Sequence, residues 1–191
     1  MGTEPNPSAR DRLIRNGLLE LNRHGVQDFS VRRVANASGL SCAAPYKHFA
    51  DKTEFIASII EHVIDLWESY IPAVIKTHPD DLRQQIIEVS MRYVDFLVEN
   101  SHFRSIIMLK NPELDQQYKA LRLRLTNTSR TLVYRYCELF NIPRDVMNFK
   151  LYVIRSLIYG AALMFDNNEM EYTEEHIDYV RLAISREFDL P

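Results

Sequence analysis

The sequence contains little glycine and little cysteine, only 5 and 2 residues respectively of 191. Scarce glycine beside abundant Leu, Ile, Glu and Arg favours helices. Cys42 and Cys137 lie far apart and fit neither the spacing of a metal site nor that of a redox pair. A chain of this length buries roughly 70% of the surface that its unfolded state exposes. A hydrophobic core can therefore stabilise the fold without a metal ion or a disulfide.

Long apolar runs and catalytic motifs are missing as well. The sequence has no run of about 18 apolar residues and no signal peptide, which predicts a cytoplasmic protein without a membrane partner. It has no glycine-rich phosphate loop and no nucleophile elbow, and its 6 histidines show no metal-ligand pairing. Glu99 and His102 form one Glu-x-x-His, whereas a di-iron bundle needs two together with further carboxylates. We therefore expect no catalysis, no cofactor and no metal.

Charge is unevenly distributed along the chain. Residues 1–52 hold eight Lys and Arg against five Asp and Glu, a net charge of +3. The remainder holds 15 basic against 21 acidic residues, and the whole chain has a net charge of −3. A basic head before an acidic body indicates two modules with different partners, and a polyanion suits the head.

Apolar residues recur at helical spacing, and capping residues or prolines mark where the runs begin. No segment has a convincing strand pattern. The sequence therefore predicts an all-α fold of about nine helices, divided into a head over residues 1–52 and a body over residues 53–191. The predicted helices are one from Ser8 to Gly25, two short ones over 31–38 and about 42–48, a long one from Asp51 that Pro72 kinks or ends, and five more over 80–99, about 102–109, 112–140, 143–166 and 173–188.

The segment from Ser30 to Lys52 has the spacing of a helix-turn-helix, in which a first short helix braces a second that enters the major groove of DNA. Ala35 is small enough for two helices to cross closely. Gly39 permits a positive φ in the turn, and apolar side chains fill the joint. The pattern therefore predicts a DNA-binding head.

These residues resemble the head of the TetR/AcrR family of bacterial transcriptional regulators. The matching motifs are Gly25, Ser30-Val31, Val34-Ala35, Gly39-Leu40-Ser41, Tyr46-Lys47-His48-Phe49 and Asp51-Lys52-Thr53-Glu54-Phe55. The sequence departs from the family in the first helix, where Gly17 and Asn22 stand for the common Ala and Phe. It departs again in the recognition helix, where Ala44 lacks the Thr hydroxyl that often contacts DNA.

The resemblance implies a three-helix DNA-binding head, joined by a long helix to a helical domain for ligand binding and dimerisation. It also implies a repressor that binds a palindromic operator as a homodimer and that a small molecule releases. The DNA-binding candidates are Ser30, Arg32, Ser41, Ala43, Ala44, Tyr46, Lys47, His48 and Lys52. The serines are equally explained as helix caps, and the lysines as ordinary surface residues.

The segment 146–165 is apolar on nearly all sides, so a helix there needs cover from both directions. The small residues Gly160, Ala161 and Ala162 offer a surface for close approach. A second copy of the chain is the natural cover, which predicts a homodimer through the last two helices, with Ala161 at the helix crossing.

Arg155 lies within this apolar helix, where a charge needs a partner or a cavity. It either anchors an acidic ligand or forms a structural ion pair with an acid such as Asp95 or Glu99. The ligand-binding candidates are Trp67, Tyr70, Tyr93, Phe96, Met108, Ser129, Arg155 and Tyr159, and each is also explained as plain core. The alternatives to a regulator are a helical adaptor without DNA binding and an enzyme on the same fold.

Overall fold

The computed structural model of the chain describes residues 7–101 and 115–189, with the side chains of 115–118 and 122 left out. Within these ranges it contains seven α-helices, one 3₁₀ turn and no strand, so the all-α prediction is confirmed. The predicted helix over 102–109 and Met108 lie outside the described residues, and the predicted total of nine helices is not confirmed. The elements are α1 (Ala9–His24), α2 (Val31–Ala37), the 3₁₀ turn (Pro45–Lys47), α3 (Lys52–Thr77), α4 (Leu82–Glu99), α5 (Asp115–Leu139), α6 (Arg144–Asp166) and α7 (Glu174–Glu187).

The chain divides into two compact units. Among the described residues, the first unit holds 7–65 and 115–122, and the second holds 66–101 and 123–189. The limits of these compact units do not test the predicted domain boundary after residue 52, which stays a prediction. None of the described helices combines the length and apolarity that crossing a membrane requires.

Local capping fixes the start of α1 as the sequence predicts. The Asp11 N–H donates to the Ser8 hydroxyl at 3.1 Å, and the Ser8 N–H donates to the Asp11 carboxylate at 3.2 Å. This reciprocal pair is a capping box, since each side chain satisfies a backbone donor at the helix start. Gly25 ends the helix with φ at +70°, a conformation that glycine adopts without strain.

Gly17 of α1 lies against Ile59 and Phe55 of α3. A Cβ atom at this position would lie 2.6 Å from Ile59 Cδ1 and 3.4 Å from Phe55 Cε2. Both neighbours are fully buried, so they have little room to move away. Glycine therefore stands here, instead of the alanine that the resemblance leads one to expect, because the two helices leave no space for a methyl group.

The predicted helix over 42–48 is wrong, because this segment forms only the 3₁₀ turn Pro45–Lys47. Proline has no N–H, so the hydrogen bond from residue 45 to the Ser41 carbonyl that an α-helix requires cannot form. The Ser41 carbonyl accepts instead from the Ala44 N–H at 2.9 Å. The Ser41 hydroxyl makes no hydrogen bond among the described residues, so the predicted cap is also wrong.

The alternative that the long helix ends at Pro72 is wrong. Helix α3 continues through Pro72 to Thr77. The Glu68 carbonyl loses the N–H donor that any other residue at position 72 would supply. Pro72 is exposed, so water can reach this side of the helix and donate a hydrogen bond to the Glu68 carbonyl instead.

In the second unit, α4 packs on α6 and α7, and α6 packs on α7. Trp67 of α3 is buried here, and its indole N–H donates to the Leu125 carbonyl at 3.2 Å. Lys150 is also buried, and its ammonium donates to the Glu187 carbonyl at 2.6 Å and lies 3.5 Å from the Glu187 carboxylate. This pairing attaches the end of α7 to α6.

We expect Gly39→Ala to lower the free energy of unfolding by about 1–2 kcal/mol, the cost of placing an L-residue in the left-handed region. Gly39 has φ at +67°, and a Cβ atom there would meet nothing within 4 Å, so the cost is conformational and not steric. Gly39→Asn is the matched control and should cost less, because Asn enters this region more readily. Urea unfolding measures both variants, and equal losses for Ala and Asn would contradict the backbone explanation.

Candidate functional site

The segment from Ser41 to Lys52 presents one side to solvent and anchors the other in the core. Pro45 and Phe49 are buried, whereas Tyr46 between them is 60% exposed, and Lys47 and His48 are exposed as well. The Phe49 ring stacks on the Phe55 ring, with 4.1 Å between centroids and an interplanar angle of 8°. The buried residues thus anchor the turn in the core, and its polar residues face solvent.

The sequence-predicted DNA-binding residues divide by exposure. Arg32, Ser41, Ala43, Tyr46, Lys47 and His48 are exposed, whereas Ser30, Ala44 and Lys52 are half-buried. The Ser30 hydroxyl accepts from the Arg33 N–H at 3.3 Å and so caps α2, as predicted. The Lys52 ammonium donates to the Gln27 carbonyl at 3.1 Å, which leaves two further N–H donors. This bond brings the loop before α2 to the start of α3.

Glu20 of α1, which the sequence analysis missed, orders the start of α2. Its side chain is buried, and it accepts hydrogen bonds from the Ser30 N–H at 3.1 Å and the Arg33 Nε at 2.7 Å. Burial raises the pKa of Glu20, but these hydrogen bonds and the charge of Arg33 outweigh it, so the pKa lies below its ordinary value. Arg33 is therefore bound to Glu20, while the neighbouring Arg32 makes no ion pair among the described residues.

The second unit contains a cavity between α4, α5 and α6, with an interior volume of ≈ 80 Å³ and an opening to solvent. Three of the sequence-predicted ligand residues, Tyr93, Ser129 and Arg155, line it. Mostly apolar side chains surround them, with Arg130 and Thr126 as further polar groups. The full lining is Ile86, Tyr93, Leu123, Thr126, Ser129, Arg130, Val133, Leu151, Ile154, Arg155 and Ile158.

Other predicted ligand residues lie elsewhere. Trp67 and Phe96 are buried against one another with 5.4 Å between ring centroids, and neither lines the cavity. Tyr70 is half-buried under the Arg92 guanidinium, which lies 4.2 Å from the ring centroid. Tyr159 lines a more open groove beside the cavity. Helical spacing predicts that these side chains face the interior of the unit. The cavity borders only part of that interior face.

The alternative of a structural ion pair for Arg155 is wrong. Both proposed partners serve Arg92 instead, with the Asp95 carboxylate at 3.9 Å and the Glu99 carboxylate at 3.2 Å. Arg155 makes no hydrogen bond or ion pair within the part of the chain that the structure describes. Its guanidinium is exposed and borders the cavity.

Tyr93 carries a hydroxyl group without a partner. The side chain is 3% exposed, and the hydroxyl makes no hydrogen bond of ordinary geometry among the described residues. Burial raises the pKa of Tyr93 well above its ordinary value, and the adjacent Tyr159 raises it further, while the charge of Arg155 acts in the opposite direction. The hydroxyl therefore keeps its proton at neutral pH and is a hydrogen-bond donor.

Large apolar side chains of α6 and α7 are exposed along one stripe. A Cβ atom on Gly160 would meet nothing within 4 Å, so the space above this residue is open. Ala161 is only 6% exposed and packs within its own chain, so its expected place at a crossing with a partner is wrong. We call the exposed set the apolar stripe, and it consists of Phe149, Tyr152, Leu163, Met164, Tyr179 and Leu182.

No family model and no curated protein matches the chain. Solved structures do match, over nearly the whole of both chains. The TetR-family regulator PfmR from Thermus thermophilus is 22% identical with a TM-score of 0.66, covering 91% of this chain and 97% of its own. A TetR-family regulator from Marinobacter aquaeolei is 19% identical with a TM-score of 0.67, covering 94% of each chain.

A third similar structure is the transcriptional regulator FadR from Bacillus subtilis in complex with stearoyl-CoA. It is 12% identical with a TM-score of 0.73, covering 92% of this chain and 96% of its own. Identities this low indicate shared fold only. The chain therefore has the fold of TetR-family transcriptional regulators.

We expect Glu20→Gln to lower the free energy of unfolding at pH 7 by about 1–3 kcal/mol, because it weakens buried hydrogen bonds to a charged group. The folded-state pKa lies below the ordinary value of 4.5, so this stabilisation is present above pH 4.5 and is lost as the pH falls through the folded-state pKa. The difference between wild type and variant should shrink below about pH 4.5. Urea unfolding across pH measures it, with the exposed Glu138→Gln as control. A difference that stays constant down to about pH 3 would contradict the assignment.

Proposed function

We propose that this chain is a TetR-family regulator of bacterial transcription, a cytoplasmic repressor that binds a palindromic operator as a homodimer and is released by a small molecule. The observation that carries the proposal is the anchored turn in the head. Buried Pro45 and Phe49 hold Tyr46, Lys47 and His48 towards solvent, after a Gly39 turn of the helix-turn-helix type. A cavity in the second unit supplies the place for an effector.

The head residues suit two kinds of DNA contact. Lys47, Tyr46 and the remaining donors of Lys52 suit phosphate oxygens, which position a protein on DNA without reading its sequence. Exposed Ala43 suits apolar contact with a thymine methyl group in the major groove. The acid Glu20, which would otherwise repel phosphates, is buried and already neutralised by Arg33.

Dimerisation is supported by the apolar stripe of α6 and α7. Exposed aromatic and aliphatic residues lie on both helices, and Gly160 leaves room for the backbone of a partner helix. Two-fold pairing of identical surfaces is the commonest way in which a protein covers such a face. A dimer would also present two heads to two half-sites of a palindrome.

Release by a ligand requires that the ligand bind one conformation of the dimer better than another. Helix α3 begins at Lys52 in the head and contributes Trp67 and Tyr70 to the second unit, so one continuous element carries residues of both. Typical couplings of about 1–3 kcal/mol would change operator affinity about five- to 150-fold. The similar fold of a regulator in complex with stearoyl-CoA supports a small-molecule effector.

The first test of this function is DNA binding. Genomic fragments that the purified protein retains, once sequenced, give the operator. Lys47→Ala should then weaken binding to operator and unrelated DNA alike, and it should flatten the salt dependence by about one unit per half-site. Lys47 makes no side-chain hydrogen bond in the described structure, so its removal leaves the fold intact. Lys76→Ala, an exposed lysine in the last turn of α3, is the control. Unchanged affinity and salt slope for Lys47→Ala would contradict the DNA contact.

The second test is the oligomeric state. Sedimentation at micromolar concentration should give about twice 22.4 kDa. Gly160→Arg should yield a folded monomer, because the space above Gly160 is open within the subunit but would be filled by a partner helix. Leu19→Arg, at an exposed apolar residue of α1, is the control and should remain a dimer. A wild-type monomer, or a Gly160→Arg dimer of unchanged stability, would refute pairing through the apolar stripe.

A further inference from the structure

The cavity of the second unit adjoins a more open groove between α5 and α6. Three residues line both spaces, Arg130 of α5 together with Leu151 and Arg155 of α6. These residues therefore stand at the boundary between the enclosed cavity and the surface. A molecule that passes from solvent into the cavity along this route must pass two guanidinium groups.

Neither guanidinium has a carboxylate partner among the described residues. Arg130 donates to the amide oxygen of Asn127 at 2.9 Å, a neutral acceptor, and no acid pairs with it among the described residues. Arg155 has no hydrogen bond or ion pair in the same part of the chain. Other arginines of this unit do have carboxylate partners, since Arg124 pairs with Glu68 at 2.6 Å and Arg83 with Asp189 at 2.7 Å. Two unpaired positive charges at one opening suit an anion that arrives from outside.

The interior of the cavity has the opposite character. Ile86, Ile154 and Ile158 are buried, and together with Val133 they line the space between α4, α5 and α6. Among these apolar groups lies the hydroxyl of Tyr93, which makes no hydrogen bond of ordinary geometry in the described part of the chain. A buried hydroxyl group without a hydrogen bond is costly, so a ligand atom that accepts from it is favoured.

We infer that the cavity binds a small amphipathic carboxylic acid, with its carboxylate between Arg130 and Arg155 at the opening and its apolar chain inside. An oxygen atom along that chain accepts a hydrogen bond from the Tyr93 hydroxyl. The inference rests on the proposed function, since it names the class of effector for that cavity. The orientation of the ligand follows from the lining of the cavity, because the charged residues lie at the opening and apolar side chains line the interior.

The test uses the full chain without DNA, titrated calorimetrically at about pH 7.5 with decanoate and with its neutral isostere decanamide, so that the acid is ionised. Decanoate should bind at least about tenfold more tightly than decanamide. Arg130→Gln and Arg155→Gln should each lower decanoate affinity about tenfold and leave decanamide affinity unchanged. Arg135→Gln, an exposed arginine of α5 that does not line the cavity, is the matched control and should change neither. Absence of decanoate binding, or equal affinity for acid and amide, would overturn the inference.

A third ligand, 9-oxodecanoate, tests the Tyr93 hydroxyl. It should bind several-fold more tightly than decanoate in the wild type, and Tyr93→Phe should abolish this advantage without lowering the affinity for decanoate. An advantage that survives in Tyr93→Phe would overturn the role of this hydroxyl. The unfolding midpoint of each variant, measured without ligand, shows whether the substitution has damaged the fold.

Failure of this inference is distinguishable from failure of the proposed function. Operator affinity, measured separately with and without acid, reports the switch. Tight acid binding without any change in operator affinity would reject the ligand-released repressor and leave the ligand class standing. Operator binding by a protein that does not distinguish acid from amide would reject the ligand class alone.

Discussion

The Phe49 ring lies flat on the Phe55 ring, and this contact determines where the chain between α2 and α3 runs. Phe55 is fully buried and also meets Phe29 edge-on at 5.5 Å, so the stack joins the residues on either side of the helix-turn-helix to the long helix. The chain returns to the core at Phe49, two residues after the 3₁₀ turn ends. The exposed residues of this turn, for which we propose DNA contacts, depend on this anchoring more than on any helix of their own.

Charge pairing separates the arginines that hold the fold from those that face outwards. Arg33 is bound to buried Glu20, and Arg92 is shared by Asp95 and Glu99. Arg32 in the head and Arg155 at the cavity have no such partner among the described residues. Adjacent residues of identical type thus have different physical roles, and only the three-dimensional partners distinguish them.

The sequence predicted what depends on local contacts and missed what depends on distant ones. The caps of Ser8, Ser30 and Thr173 act within three residues, and all three hydrogen bonds are present. Pro45 and Pro72 show the limit of local rules, because an identical residue type shortens one helix and is tolerated in another. Helical periodicity placed Trp67 and Phe96 on an inward face, but it cannot say which part of that face borders empty space. The bond between Glu20 and Arg33 joins two helices, so the spacing of residues within one helix does not predict it.

The two cysteines differ in a way that makes the native chain a useful reagent. Cys42 is exposed beside Ala43, whereas Cys137 is buried and its burial raises the pKa of the thiol. The thiolate is the reactive form, so a thiol-specific dye at neutral pH modifies Cys42 and spares Cys137. A fluorophore can therefore be attached at one defined point next to the turn that we propose contacts DNA, without any engineered substitution. Its emission would follow the head by itself, while tryptophan fluorescence from buried Trp67, the single tryptophan of the chain, follows the second unit.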